Sequence, residues 1–244
     1  MTHEGMLRDD EPLAVEIVTA IRSGDVAAVR RLLGANPGLT ATYITNAKGG
    51  GRTPLHVVTD WPGFFPNGPE IVRTLLEAGA NPDPRGASGR DETPLHWAAS
   101  SDDADVARAL IDGGADIEAP DGSIGTPLDN AIGYACWNVA RLLVSAGARV
   151  DKLWHAAALG MTDRLARLLS GSAPSADEVN QAFYHACDGG QRRAAELLLA
   201  HGADINAAPE YGGSPLEAAA SLGTQRDQLI EWLRARGARR SSDS

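Results

Sequence analysis

Imidazoles, carboxylates and aromatic rings gather at a few recurring positions of this 244-residue chain. His155 and His185 stand at matching places, and Asp188 follows His185 by three residues. A histidine beside an aspartate in a dry groove can act as general acid and base. Asp60, Trp61, Trp97, Asn130 and Tyr134 would add a second carboxylate, an amide and three aromatic rings. Aromatic walls with a few convergent polar groups are what a small-molecule pocket needs. If the chain is an enzyme, Asp60, Tyr134, His155, His185 and Asp188 are its catalytic candidates.

These residues share a register set by a repeated string. It reads Thr53-Pro54-Leu55-His56, Thr93-Pro94-Leu95-His96, Thr126-Pro127-Leu128-Asp129 and Ser214-Pro215-Leu216-Glu217. In Thr-Pro-Leu-His-x-Ala-Ala-y-z, positions x, y and z are spaced i, i+3 and i+4, so they lie on one helix face. Trp97, Asn130, His155 and His185 occupy x. Asp60 and Asp188 occupy y, and Trp61 and Tyr134 occupy z. Repeats that stack about one helix diameter apart, roughly 10 Å, bring such side chains toward one ligand. The competing reading is packing. His155 and His185 equally fit as core histidines with satisfied nitrogens, and Trp97 as a packing ring. His56 and His96 are expected to hydrogen-bond neighbouring backbone, and Cys187 to be core.

Each string opens a helix, with the hydroxyl residue as cap and proline in the first turn. A Leu/Ile/Val-rich second helix follows, ended by a left-handed glycine: Gly79-Ala80, Gly114-Ala115, Gly147-Ala148, Gly202-Ala203 and Gly237-Ala238. Self-similarity at a period near 33 residues predicts a stack of helix pairs. The marks resemble the ankyrin repeat, with its T-P-L-H-x-A-A and L-L-x-x-G-A-D strings. The resemblance implies an all-α solenoid of seven helix pairs over residues 13–238, with polar tails at 1–12 and 239–244. The pairs run over about 13–36, 52–80, 92–115, 125–148, 153–171, 183–202 and 214–238. The chain also resembles small bacterial ankyrin proteins in the strings Thr59-Asp60-Trp61-Pro62-Gly63, His96-Trp97-Ala98-Ala99-Ser100-Ser101-Asp102-Asp103 and Gly189-Gly190-Gln191.

Two departures from the period matter. Leu55 and Leu95 are 40 residues apart, because Trp61 to Pro69 inserts a proline- and glycine-rich loop between two helices. Phe64 and Phe65 are expected to fold back over the groove mouth. Leu128 and Leu153 are only 25 apart, so no projecting hairpin is expected between the fourth and fifth pairs, where only Gly147 to Lys152 is available. Lys48-Gly49-Gly50-Gly51-Arg52 reads as a hairpin tip, since no Lys-Ser or Lys-Thr follows to make a phosphate loop. Asp102, Asp103 and Asp105 read as the polar start of a helix.

The net charge of -10 argues against nucleic acid, which calls for a basic face. The arginines from Arg226 to Arg240 read as a solvated end, sealed by Trp232. No apolar stretch nears the roughly 18 residues of a membrane span, and Met1 to Asp10 is no secretory signal. Cys136 and Cys187 lack partners at disulfide or metal spacing, which points to the cytoplasm and to no metal or cofactor. The resulting reading is a recognition module that binds a protein partner in its concave groove. The alternative is a small-molecule binder or an atypical enzyme using the inner-helix residues.

Overall fold

The structure is a computed structural model that describes residues 5–47, 50–86, 91–171, 174–210, 212–221 and 227–243. These form two compact units, residues 1–148 and 149–244, divided within the short Gly147–Lys152 connection. Among the described residues fourteen α-helices form seven consecutive pairs.

The first unit holds α1 (Pro12–Ser23), α2 (Val26–Ala35), α3 (Pro54–Thr59), α4 (Gly68–Glu77), α5 (Pro94–Ser101), α6 (Ala104–Asp112), α7 (Pro127–Gly133) and α8 (Trp137–Ser145). The inner helices α1, α3, α5 and α7 pack one on the next, as do the outer helices α2, α4, α6 and α8. Small residues permit the close inner stack: Ala98 and Ala99 are fully buried, and Leu75, Leu110 and Leu143 fill the space between layers. Proline begins α3, α5 and α7, where its missing N–H removes only a donor that has no helical partner.

The motif histidines join one repeat to the next. The Thr53 N–H donates to His56 Nδ1 (3.3 Å), which leaves Nε2 to donate to the Glu92 carbonyl (3.0 Å). His96 repeats the pattern, with Thr93 N–H on Nδ1 (3.1 Å) and Nε2 on the Gly125 carbonyl (3.0 Å). In the fourth pair the Asp129 carboxylate substitutes, accepting from the Thr126 N–H at 2.7 Å. Burial lowers the pKa of both histidines, that of His56 to about 4, so both are neutral at pH 7.

The second unit holds α9 (Leu153–Ala158), α10 (Thr162–Gly171), α11 (Ala176–Asp188), α12 (Arg192–Ala200), α13 (Pro215–Ala219) and α14 (Asp227–Arg234). Helix α11 packs against α9, α12 and α13. Glycine is required where α9 and α11 meet, because a Cβ on Gly189 would stand 2.2 Å from the Ala158 carbonyl oxygen. Trp232 is buried in α14 under the guanidinium of Arg236, 4.5 Å from the ring centre. Arg226 lies outside the described residues.

Several expectations need correction. Met6–Arg8, assigned above to a polar tail, is a strand, β1. It pairs in parallel with β2 (Tyr43–Thr45), which pairs antiparallel with β3 (Gly51–Arg52). Leu7 drives this, since it is almost fully buried while its neighbours are exposed. The β2–β3 pairing agrees with a hairpin around Gly50, whose tip residues Lys48 and Gly49 lie outside the described residues. The first helix of the sixth pair starts at Ala176, not Phe183, because Ser175 and Glu178 form a capping box. The chain from Gly147 to Lys152 joins α8 to α9 without a β-hairpin, as its length requires.

Candidate functional site

Loop 60–67, between α3 and α4, carries the most exposed aromatic residue. Trp61 is 81% exposed and Phe64 is 67% exposed, although apolar residues in a loop gain by covering themselves. The loop's backbone is nevertheless pinned. The Phe64 N–H donates to Asp103 Oδ2 (2.8 Å), and Asn67 Nδ2 donates to the Gly24 carbonyl (2.9 Å). Asp103 uses its other oxygen to cap α6, accepting from Val106 N–H (3.2 Å). Its neighbour Asp102 accepts from the Asn138 and Val139 N–H groups at the start of α8 (2.9 and 3.0 Å). The acidic run thus fastens loops and helices of three successive repeats. The expectation that both phenylalanines fold back fails for Phe64. Phe64 has φ 57° and turns into solvent, and Phe65 is half-buried against the Arg22 guanidinium, 5.9 Å from its ring centre.

Asp60 closes α3 and accepts two guanidinium hydrogen bonds on Oδ2, from Arg22 of α1 (2.8 Å) and Arg52 of β3 (2.5 Å). A carboxylate oxygen shared by two guanidinium groups serves as an anchor between helix and strand.

Beside this loop the first unit has a solvent-open cavity of about 270 Å³. Trp61, Trp97 and Tyr134 supply its aromatic lining, and Asp60, Glu92 and the hydroxyls of Ser100, Ser101 and Ser123 its polar lining. Trp97 also makes an edge contact with His56, ring centres 4.8 Å apart. Tyr134 is half-exposed, its hydroxyl 3.3 Å from Ser123 Oγ. Asn130 sits fully buried beneath. Its Nδ2 donates to Glu92 Oε1 (3.0 Å) and Ser100 Oγ (3.3 Å), and its Oδ1 accepts from Ile124 N–H (3.2 Å). Glu92 is 8% exposed. Burial alone would raise its pKa, but hydrogen bonds from Ser123 and Asn130 and the neighbouring His96 outweigh burial and keep it below the ordinary carboxylate value. Glu92 was not among the sequence candidates. The one available signal was its position directly before Thr93-Pro94, and its carboxylate accepts from Ser123 and Asn130 of the following repeat.

His155, His185 and Asp188 belong to the second unit. His155 is buried in α9, 4.0 Å from Asp151 and stacked edge-on against Trp154, ring centres 4.4 Å apart. His185 lies 4.9 Å from the same indole and 5.3 Å from the Tyr184 ring. Its Nδ1 is buried without a hydrogen-bond partner. Burial, reinforced by His155, lowers the His185 pKa to about 4. Asp188 is buried at the end of α11, which raises its pKa to about 6 against the opposing hydrogen bond of Ser221. The eight candidate residues therefore divide five to three between the units. Four of the five in the first unit line one cavity, and Asn130 supports it from beneath. Among the described residues no group of three or more His, Cys, Asp or Glu is placed to hold a metal ion, and no helix is long and apolar enough to cross a membrane.

The family profile of ankyrin repeats matches the chain in three copies, at residues 17–121, 65–152 and 153–241. The mouse B-cell lymphoma 3 protein homolog is 27% identical over 218 residues, which is 88% of this chain and 41% of that protein. The neurogenic locus notch homolog protein 1 of Xenopus tropicalis is 34% identical over 131 residues, 54% of this chain and 4% of that one. The chain thus spans less than half the length of either relative. Among solved structures, the ankyrin repeat domain of Bcl-3 superposes with a TM-score of 0.51 at 24% identity, covering 90% of this chain and 97% of that one.

Proposed function

The chain belongs to the ankyrin-repeat family, and we propose that it is a protein-recognition module whose partner docks on the inner-helix side of the first unit. One observation carries this reading: the loop after α3 is fastened at Asp60, Phe64 and Asn67, yet it presents Trp61 and Phe64 to solvent. Each such ring buries about 150–250 Å² when covered, worth roughly 4–6 kcal/mol of gross burial at about 25 cal/mol/Å². A loop already ordered loses little further entropy on binding. Rigid, exposed aromatic residues beside a half-open cavity match the composition of binding hot spots. The cavity favours a narrower second reading, a small ligand held among Trp61, Trp97 and Tyr134. The arginine-pinned Asp60 weighs against acid–base catalysis there. The buried free thiols Cys136 and Cys187 support a reducing, cytoplasmic setting. The Thr59–Gly63 and Gly189–Gln191 strings support a bacterial source.

A random-peptide library displayed on phage and selected on the intact chain tests the main reading. Selected peptides are expected to lose at least about tenfold in affinity on Trp61→Ala with Phe64→Ala, while thermal stability is kept. Peptides indifferent to both rings would place recognition elsewhere and overturn the proposal.

A further inference from the structure

Most of the serine, threonine and amide protons around the cavity of the first unit are already directed at protein acceptors. The Ser100 hydroxyl donates to the His96 carbonyl and Ser101 to the Trp97 carbonyl, each at 2.9 Å. The Thr59 hydroxyl donates to the His56 carbonyl at 3.1 Å. The Asn130 amide hydrogens are directed to Glu92 and Ser100. Ser123 and Tyr134 face each other, so one of those two hydroxyls donates to the other. Those serine, threonine and amide protons are directed at the protein, whereas one hydroxyl proton of the Ser123–Tyr134 pair and the indole N–H groups of Trp61 and Trp97 remain as donors, and Glu92 supplies negative charge. Among the described residues no lysine or arginine lines the cavity, and the nearby Arg22 and Arg52 both turn to Asp60. The remaining lining is the electron-rich ring systems of Trp61, Trp97 and Tyr134. A ligand that carries positive charge matches Glu92 and these ring faces, and an anion does not.

We propose that this cavity takes an organic cation, the ammonium or guanidinium of a lysine or arginine side chain or a free alkylammonium of the same chemistry. The side-chain source rests on the recognition reading, whereas the charge preference rests on the cavity alone.

The test titrates the full chain with choline and with its uncharged isostere 3,3-dimethylbutan-1-ol, following the indole N–H signals of Trp61 and Trp97 by NMR. Trp61→Phe and Trp97→Phe assign those signals. Choline is expected to bind at least about tenfold tighter than the neutral isostere, and Glu92→Gln is expected to remove about tenfold of choline affinity. Since Glu92 is buried, Trp61→Ala provides an exposed variant that keeps the fold and is expected to weaken choline about fivefold. Equal binding of the two isosteres, or a folded Glu92→Gln protein with unchanged affinity, would overturn the proposal. Acetyl-lysine amide (blocked at Nα) and a Gly-Ala-Lys-Ala-Gly peptide separate the sources. Tighter binding of the peptide supports a partner side chain, and equal binding keeps the cation preference while removing support for a protein partner. Failure of every cation beside Trp61-dependent phage peptides would sink the charge preference and leave recognition standing.

Discussion

In the first unit His56 and His96 each bridge two repeats through both ring nitrogens. In the second unit the matching positions hold Trp154 and Tyr184, and the imidazoles of His155 and His185 stand one residue later, against those rings. The two arrangements bury the same side-chain type for different returns. A bonded imidazole fixes the register between repeats, because its two nitrogens must meet two defined backbone groups. The stacked His185 contributes contact area, and among the described residues its Nδ1 has no hydrogen-bond partner. His56 and His96 are struts, and His185 is a filler.

Leucine substitution is the sharpest way to break this comparison. His56→Leu strands the Thr53 N–H and the Glu92 carbonyl, and is expected to cost about 2–4 kcal/mol in urea unfolding at pH 7. His185→Leu is expected to be neutral or to stabilise by up to about 1 kcal/mol. Equal losses in the two variants would erase the distinction.

Asp188 supplies the next effect. Its raised pKa means that the folded state prefers the protonated form, so its stabilising contribution is present below the unfolded value of about 3.8 and is lost as pH rises through about 6. Asp188→Asn is accordingly expected to gain about 2 kcal/mol at pH 7 and nothing at pH 3.5. A gain that persists at the lower pH would point to packing instead.

Acidification separates the units further. His56 and His96 have folded pKa values below the ordinary 6.5, so their stabilising effect is complete above that value and declines as pH falls below it, for His56 down through about 4. His185 behaves likewise in the second unit, but Asp188 runs the other way in an overlapping window. Hydrogen exchange between pH 6.5 and 4.5, corrected for intrinsic rates, is expected to show the first unit losing more protection than the second. The smallest expected effect is at Trp61. Replacement by alanine should change stability by less than about 0.5 kcal/mol, since the ring is mostly in water.

The helices were legible because their signals are local. Thr-Pro, the paired leucines and the glycine stops act within a few residues, and so did the capping box at Ser175 and Glu178, which was passed over for lack of a proline. Strand β1 was not legible, since three residues carry little pattern and their partner lies 37 positions away, at Tyr43 opposite Met6. The cavity was half legible. Trp61, Trp97 and Tyr134 stood out at helix-face spacing, but Asp60 looked like a free acid because Arg22 is 38 residues distant. Phe64 was misread by treating apolar character as a reason to be covered. Its backbone is held by Asp103, 39 residues on, so its ring need not fold back for the loop to be ordered.

Because Asp103 and Gly24 hold the loop after α3 by backbone and side-chain hydrogen bonds that do not involve its two leading rings, those rings are interchangeable parts. Position 61 can be randomised with Asp103, Asn67 and Gly24 left in place, and position 64 can be varied among residues that tolerate its φ of 57°. The same clamp describes how the specificity of such a protein can drift: new side chains appear at two positions, the partner changes, and the stack that carries them is inherited intact.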